Sequence, residues 1–354
     1  MEKNRLMVGL RLLMGMFILV GFIGLILTVQ LRLEFTLGYW LITLALLVPS
    51  TYLSIALHEL GHGVLGWVTG YRFLSYRFLS FMIQKNKEGK LEYKRYNIVG
   101  TGGQCLMIPP KKAPLPIFWY NFGGVFFNMI VTLIAVSMIW LATHLFVSAF
   151  MVSMVLVNVT IIIQNWVSFP GLSNDGANYR EMRRNPLSQK AFRYILELQQ
   201  GLAYGQRFKD FAPNYLHFED LDFSKPLQAN AGILMSLRSL FRFDFTLWQQ
   251  QLNQMKSLAG EQKLLAVFIK PYAYFAALMF DEPMEKDKET TLILEKMKYD
   301  PLLQFINLYD VYKSKGHITE EANLDFEKLC LNAAALGEGK DVLDLKAHLL
   351  SQAP

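Results

Sequence analysis

Residues 38–69 read GYWLITLALLVPSTYLSIALHELGHGVLGWVT, and their second half carries Ala56-Leu57-His58-Glu59-Leu60-Gly61-His62-Gly63. In a helix, His58 and His62 stand four residues apart on one face. Two imidazoles at that spacing can close on one metal ion. Glu59 sits beside the first, where a carboxylate can take a proton from metal-bound water. Neutral imidazole suits Zn²⁺, which lowers the pKa of its water to about 7, within reach of a Glu base. An HExxH pattern also arises by chance on soluble helices, where each His is a surface or hydrogen-bonded core residue. Here nearly everything from Tyr39 to Leu57 is apolar or small. Ionisable groups in a membrane-length apolar run are costly and functional by default, which favours the metal.

Outward from this stretch, composition agrees. The chain has 354 residues, 53% of them hydrophobic, and a positive mean hydropathy. That is too apolar for an ordinary soluble protein and predicts a membrane protein with a soluble portion. Cys105 and Cys330 lie far apart, which excludes a disulfide framework and a thiolate metal site and leaves free buried thiols as the expectation. The net charge of +6 follows membrane topology and calls for no nucleic-acid partner.

Four spans are predicted. The first runs from about Leu12 to Leu31, behind Lys3, Arg5 and Arg11. It is too long for a signal-peptide apolar region and is followed by no small-residue cleavage site, so it reads as a retained span. The second is the over-long Gly38–Thr69 run, in which Pro49-Ser50 is expected to kink or break the helix. Residues 70–116 are not a span. The aromatic-rich Tyr71–Ile83 stretch, the polar turn at 85–90 and the partly alternating Leu91–Ile98 stretch read as a β-hairpin, and the prolines from Pro109 to Pro114 end it. The third span runs from about Ile117 to Phe146 and contains Asn121, Gly123-Gly124 and Asn128. The fourth runs from about Ser148 to Phe169 and carries Asn158 and Gln164-Asn165.

Lys and Arg crowd the 70–116 loop and follow the fourth span at Arg180, Arg183 and Arg184, while the other two connections are short and almost uncharged. The positive-inside rule then puts the N-terminus, the hairpin loop and the C-terminal part in the cytoplasm. From about Ala177 onward the sequence is soluble in character. Helical stretches are expected at Leu187–Tyr204, Ala229–Phe241, Leu247–Leu258, Gln262–Met279, Thr290–Lys298 and Glu320–Leu336, without a fixed-period repeat. The expected fold class is an all-α membrane protein with about four transmembrane helices and a membrane-associated β-hairpin, plus an α-helical cytoplasmic domain. The domains divide as a membrane-embedded part, 1–176, and a cytoplasmic part, 177–354.

A catalytic zinc site takes three protein ligands and keeps a fourth position for water. No His, Asp, Glu or Cys follows His62 through Tyr71. Glu88 and Glu92 sit in a solvated turn region and read as surface charge. Asp175, just past the fourth span, reaches the same predicted membrane face as the motif and is the better candidate. His144 reads as interfacial, His217 and His348 as surface or core residues, and His317 as a turn residue.

Three motifs together resemble the site-2 protease family of intramembrane zinc metalloproteases. His58-Glu59-Leu60-Gly61-His62 matches that family's HExxH. Gly123-Gly124-Val125-Phe126-Phe127-Asn128 is similar to its Gly-Pro-x-x-Asn-like motif, with Gly124 where Pro is common. Pro170 and Asp175-Gly176 match the spacing of its Asn-x-x-Pro-x-x-x-x-Asp-Gly motif, while Asn165 lies two positions early. The resemblance implies that His58, His62 and Asp175 bind Zn²⁺, that Glu59 activates water, and that Asn128 helps position substrate or the tetrahedral intermediate. The hairpin resembles the family's membrane-associated β-segment, which can pair with an extended substrate strand.

The resulting expectation is an intramembrane zinc endopeptidase in a bacterial cell membrane, acting on membrane-spanning or membrane-anchored proteins or peptides. Its partners would be that substrate, the lipid bilayer and a cytoplasmic protein reached through the C-terminal domain. Two other readings stand beside it. One is another membrane zincin with a Glu third ligand such as Glu181 or Glu197. The other is a membrane scaffold or transporter subunit with a vestigial metal site, whose helical tail recruits partners.

Overall fold

The computed structural model describes residues 36–98, 101–111, 114–167, 174–259 and 263–352. The expected first span and Pro170 lie outside them. Three described helices are long and apolar enough to cross a membrane: α1, Leu37–Val68; α2, Ile117–Leu141; and α3, Leu145–Trp166. Helix α1 runs unbroken through Pro49. Of the kink or break expected there, the break does not occur; membrane helices are known to tolerate an internal proline.

Between α1 and α2 lies a four-stranded antiparallel sheet of order β3-β2-β1-β4, formed by β1 (Arg72–Phe78), β2 (Phe81–Lys85), β3 (Leu91–Arg95) and β4 (Gly103–Ile108). The expected single hairpin is therefore half of the element. The Tyr71–Ile83 stretch folds back on itself at Leu79, whose φ is +54°, and Phe78 pairs with Phe81 across that turn. Strand β4 pairs with β1. It was hidden because burial on both sides removes the polar alternation that marks a half-exposed strand.

The chain divides into two compact units. The described part of the first comprises residues 36–54 and 128–161, where buried polar groups join the helices. Tyr39 Oη and Ser148 Oγ are 3.1 Å apart, and Ser153 Oγ donates to the Thr43 carbonyl at 2.8 Å. Asn158 Nδ2 donates to Ser54 Oγ at 2.9 Å, and Asn128 Nδ2 to Asn158 Oδ1 at 2.6 Å. Such bonds hold helices together where lipid supplies no hydrophobic driving force. Leu37, Leu41, Leu44, Leu133 and Leu141 are exposed on α1 and α2, as suits a surface that faces hydrocarbon.

The second unit comprises residues 55–127 and 162–354. After α4 (Asp175–Arg184) come α5 (Pro186–Ala203), α6 (Pro226–Phe241), α7 (Phe245–Ala259), α8 (Lys263–Met279), α9 (Lys288–Lys296), α10 (Pro301–Lys315), α11 (Glu320–Leu331) and α12 (Leu336–Ser351). Sequence reading missed α4, α10 and α12. Helix α10 is framed by an Asp300 cap, Pro301 in its first turn and Gly316 at φ +77°, while Gly337 and Gly339 mask α12 as a poor helix former. Successive helices pack on one another, and α12 returns to α5. Tyr194, Leu198, Phe241, Trp248, Phe275, Phe305 and Leu345 fill the shared core. A smaller cluster of Tyr71, Cys105, Met107, Leu115, Tyr120, Met182, Phe192, Leu196 and Leu227 binds the sheet, the start of α2 and the first tail helices into one body.

Candidate metal centre

Helical spacing puts His58 and His62 on one face of α1, with ring centroids 4.8 Å apart. Their Nε2 atoms are 3.1 Å apart. Asp175 Oδ2 lies 3.1 Å from His58 Nε2 and 3.3 Å from His62 Nε2. Three ligands each about 2 Å from one tetrahedral ion must sit roughly 3–4 Å from each other, so this triangle fits Zn²⁺. Among the described residues these three form the group that can hold a metal. The imidazoles are buried, at 5% and 7% exposure.

The supports of the triangle explain its geometry. His62 Nδ1 donates to the Tyr120 carbonyl at 2.7 Å, which leaves Nε2 with its lone pair free for a metal and fixes the ring. Tyr120 is held in turn: its hydroxyl donates to the Cys105 carbonyl at 2.9 Å, and its ring stacks on Tyr71 at 4.7 Å. Sequence reading assigned Tyr120 no role, because a backbone acceptor carries no residue signature.

Asp175 opens α4, where Asn174 caps the helix by accepting from Ala177 N. Asn174 Nδ2 also donates to the Gln164 and Val167 carbonyls, both at 2.7 Å, and Arg180 donates to the Trp166 carbonyl at 2.7 Å. These bonds tie the start of α4 to the end of α3. Burial opposes charge on Asp175, but the two imidazoles outweigh it and hold the carboxyl below its usual range.

Close backbone approach makes the site. A Cβ at Gly61 would stand 2.3 Å from the Gly123 carbonyl oxygen, and one at Gly124 would stand 2.4 Å from His58 Nε2. Helices α1 and α2 therefore cross glycine on glycine beneath the ligands, the close packing expected of small residues in membrane helices. Strand β4 lies equally close to Glu59, where a Cβ at Gly103 would meet Glu59 Cγ at 2.6 Å. Buried Arg77 holds that strand: its guanidinium donates to the carbonyls of Leu79 at 2.7 Å and Gly103 at 2.9 Å, and to Thr101 Oγ1. Arg77 was read from sequence only as one of many loop charges.

Of the other residues singled out, Glu59 is half-buried beside the triangle. Asn128 is fully buried in the first unit, bonded to Asn158 and to the Ser54 carbonyl. Asn165 is half-buried near the end of α3. The rival ligands are engaged elsewhere: Glu181 accepts from Ser188 Oγ at 2.8 Å, and Glu197 pairs with Arg193 and accepts from Tyr215 Oη.

No curated protein and no solved structure gives a match to this chain. Residues 35–170 match the family model described as Peptidase M50B-like, a span that takes in His58, Glu59 and His62 and stops short of Asp175. With three apolar helices and a set of side chains able to hold a metal, that match points to a membrane metalloprotease and is consistent with a site-2 protease family.

Proposed function

We propose that the protein is an intramembrane zinc endopeptidase that cleaves membrane-spanning or membrane-anchored proteins or peptides. The observation that carries this reading is the triangle of His58, His62 and Asp175, with ligand atoms 3.1–3.3 Å apart beside a glutamate. Zn²⁺ held by these three residues would supply a Lewis acid that polarises a peptide carbonyl and acidifies water. Glu59 takes the proton of the attacking water and returns it to the leaving amine nitrogen. Tyr120 keeps the His62 ring in the ligating orientation. Asn128 is assigned to substrate positioning on the strength of its motif.

Peptide bonds in a membrane helix are bonded internally and shielded from water, so a substrate has to unwind at the site. An extended segment can add to β4, the outermost strand, which lies against Glu59. The charge distribution supports four spans, with the N-terminus and residues 177–354 in the cytoplasm, which would wet the site from that side. The helical tail is then a cytoplasmic domain able to recruit a protein partner.

The test uses the full chain co-expressed with a membrane-anchored reporter. Glu59→Gln should keep its zinc and lose cleavage, and Asp175→Ala should lose zinc as well. A Glu59→Gln protein with undiminished cleavage would sink the assignment.

A further inference from the structure

The sheet has two covered faces. On one, Tyr76 Oη donates to the Ala56 carbonyl of α1 at 2.7 Å, and Gly103 and Cys105 lie against Glu59 and Gly63. On the other, Gln84, Gln104 and Leu106 help to wall a cavity of about 240 Å³ whose far side is built by the tail helices, with Ile195, Leu237 and Leu303 among its apolar lining. That volume exceeds the roughly 150 Å³ of an apolar cavity that takes up benzene.

Two carboxylates face into this space. Asp300, 8% exposed, caps α10 and accepts from Leu303 N at 2.9 Å. Glu338, 9% exposed, lies in the first turn of α12 and has neither a hydrogen bond nor an ion pair among the described residues. Two helix N-termini thus converge here and favour negative charge. Among the described residues, no Lys, Arg or His lines the cavity. A second group is also unsatisfied: Gln84, 5% exposed, lies in the cavity wall with its side-chain carbonyl unbonded. Burial pushes both carboxyls up, Glu338 further because Asp300 lies near it, so the pair tends to hold a proton in place of a counterion, and a cation of the right size would take that proton's place. The cavity offers two acidic side chains, not the three or more ligands of a metal site, and most of its wall is hydrocarbon or phenol from Tyr96 and Tyr272.

We propose that this cavity is a binding site for a small organic ammonium ion. Glu338 and Asp300 hold its charge, and the apolar wall holds its hydrocarbon part.

The test is a titration of the full chain in detergent with 1,4-diaminobutane, followed by thermal unfolding. 1,4-Butanediol and potassium chloride at matched ionic strength are the controls. The diamine should raise the unfolding temperature saturably, and the diol and the salt should not. Glu338→Gln, nearly the same shape without the charge, should weaken the apparent affinity about tenfold or more. Leu234→Trp, which fills the cavity from α6, should abolish binding with both carboxylates in place. Absence of saturable diamine binding to the wild type overturns the proposal, as does an equal response to potassium. A wild-type response that both variants leave unchanged overturns it too.

Discussion

Gly124→Ala isolates the metal centre from the stability of the fold. The added methyl carbon would lie 2.4 Å from His58 Nε2, 2.5 Å from Cε1 and 2.6 Å from Cδ2. Carbon contacts settle at about 3.5–4.0 Å, so the ring must retreat by about 1 Å. Because the obstacle is the far end of a side chain, the ring can swing aside, and the expected loss of stability is small, about 1 kcal/mol. The triangle cannot absorb the same movement. Its sides are 3.1, 3.1 and 3.3 Å, and metal–ligand distances tolerate only about 0.2 Å. A displacement of 1 Å at a reacting centre costs on the order of a hundredfold in rate. Gly124→Ala should therefore unfold near the wild-type temperature, lose zinc to a competing chelator at least tenfold more readily, and cleave about a hundredfold more slowly. Chelator competition read by metal content, with thermal unfolding measured on the same samples, separates the two effects. Zinc affinity and cleavage both within twofold of wild type would refute the packing of Gly124 against His58 as the determinant of the site.

Other consequences follow from the same geometry. Arg77→Ala removes the bonds to Leu79, Thr101 and Gly103 and leaves the buried Gly103 carbonyl without its guanidinium donor. It should cost about 2–4 kcal/mol in denaturant unfolding and slow cleavage while metal content holds. Asn174→Ala removes the α4 cap and the two bonds to the end of α3, so a loss of about 1–2 kcal/mol and weaker zinc retention are expected from the same chelator assay. Burial raises the Asp300 carboxyl to about 6 against the pull of the Leu303 and Leu302 amides. Its folded pKa then exceeds its unfolded value of about 3.9, so the folded state binds the extra proton and stability falls as pH rises from about 4 through 6. Asp300→Asn keeps the cap and should flatten that decline. Glu338, Tyr96 and Tyr272 share the cavity with Asp300, so the comparison is cleanest in the Glu338→Gln background.

The cluster of His58, His62 and Asp175, which could hold a metal, was legible because its chemistry restricts residue type: two His around a Glu in an apolar run, then an Asp after another apolar run. Such groups suit a metal, and hydrocarbon makes them costly without a purpose. The supports were not legible. Tyr120 acts through a carbonyl that any residue possesses, and Gly103 acts through the absence of a side chain. Arg77 is buried, although sequence gives a loop arginine as solvated. The three described apolar helices were found close to their bounds from length and hydropathy, while β4 was missed because both of its faces are covered and it shows no alternation. In the tail, helices with apolar stripes were found, and α12 was hidden by two glycines whose close contacts only the folded chain reveals: a Cβ at Gly337 would strike the Gln206 carbonyl, and one at Gly339 the Cys330 carbonyl.

Strand β4 gives the second unit a logic that neither the motif nor the tail has alone. Side chains alternate across a strand. Gly103 and Cys105 therefore meet Glu59 and Gly63 on α1, while Gln104 and Leu106 meet the cavity walled by the tail. A change of a few tenths of an ångström at Leu106 has to be taken up by the same backbone that presses Gly103 against the glutamate, because that contact has no slack. The Tyr120 hydroxyl grips β4 at the Cys105 carbonyl, and the Tyr120 carbonyl grips His62, so displacement of the strand also reaches the triangle of His58, His62 and Asp175. An occupant of the cavity that binds two positions of β4 differently would be thermodynamically linked to metal and substrate at the other face, and the linkage must be reciprocal. If the diamine binds, its apparent affinity should change when zinc is removed by chelation. An affinity identical in zinc-loaded and zinc-free protein would show that β4 separates the two sites without coupling them.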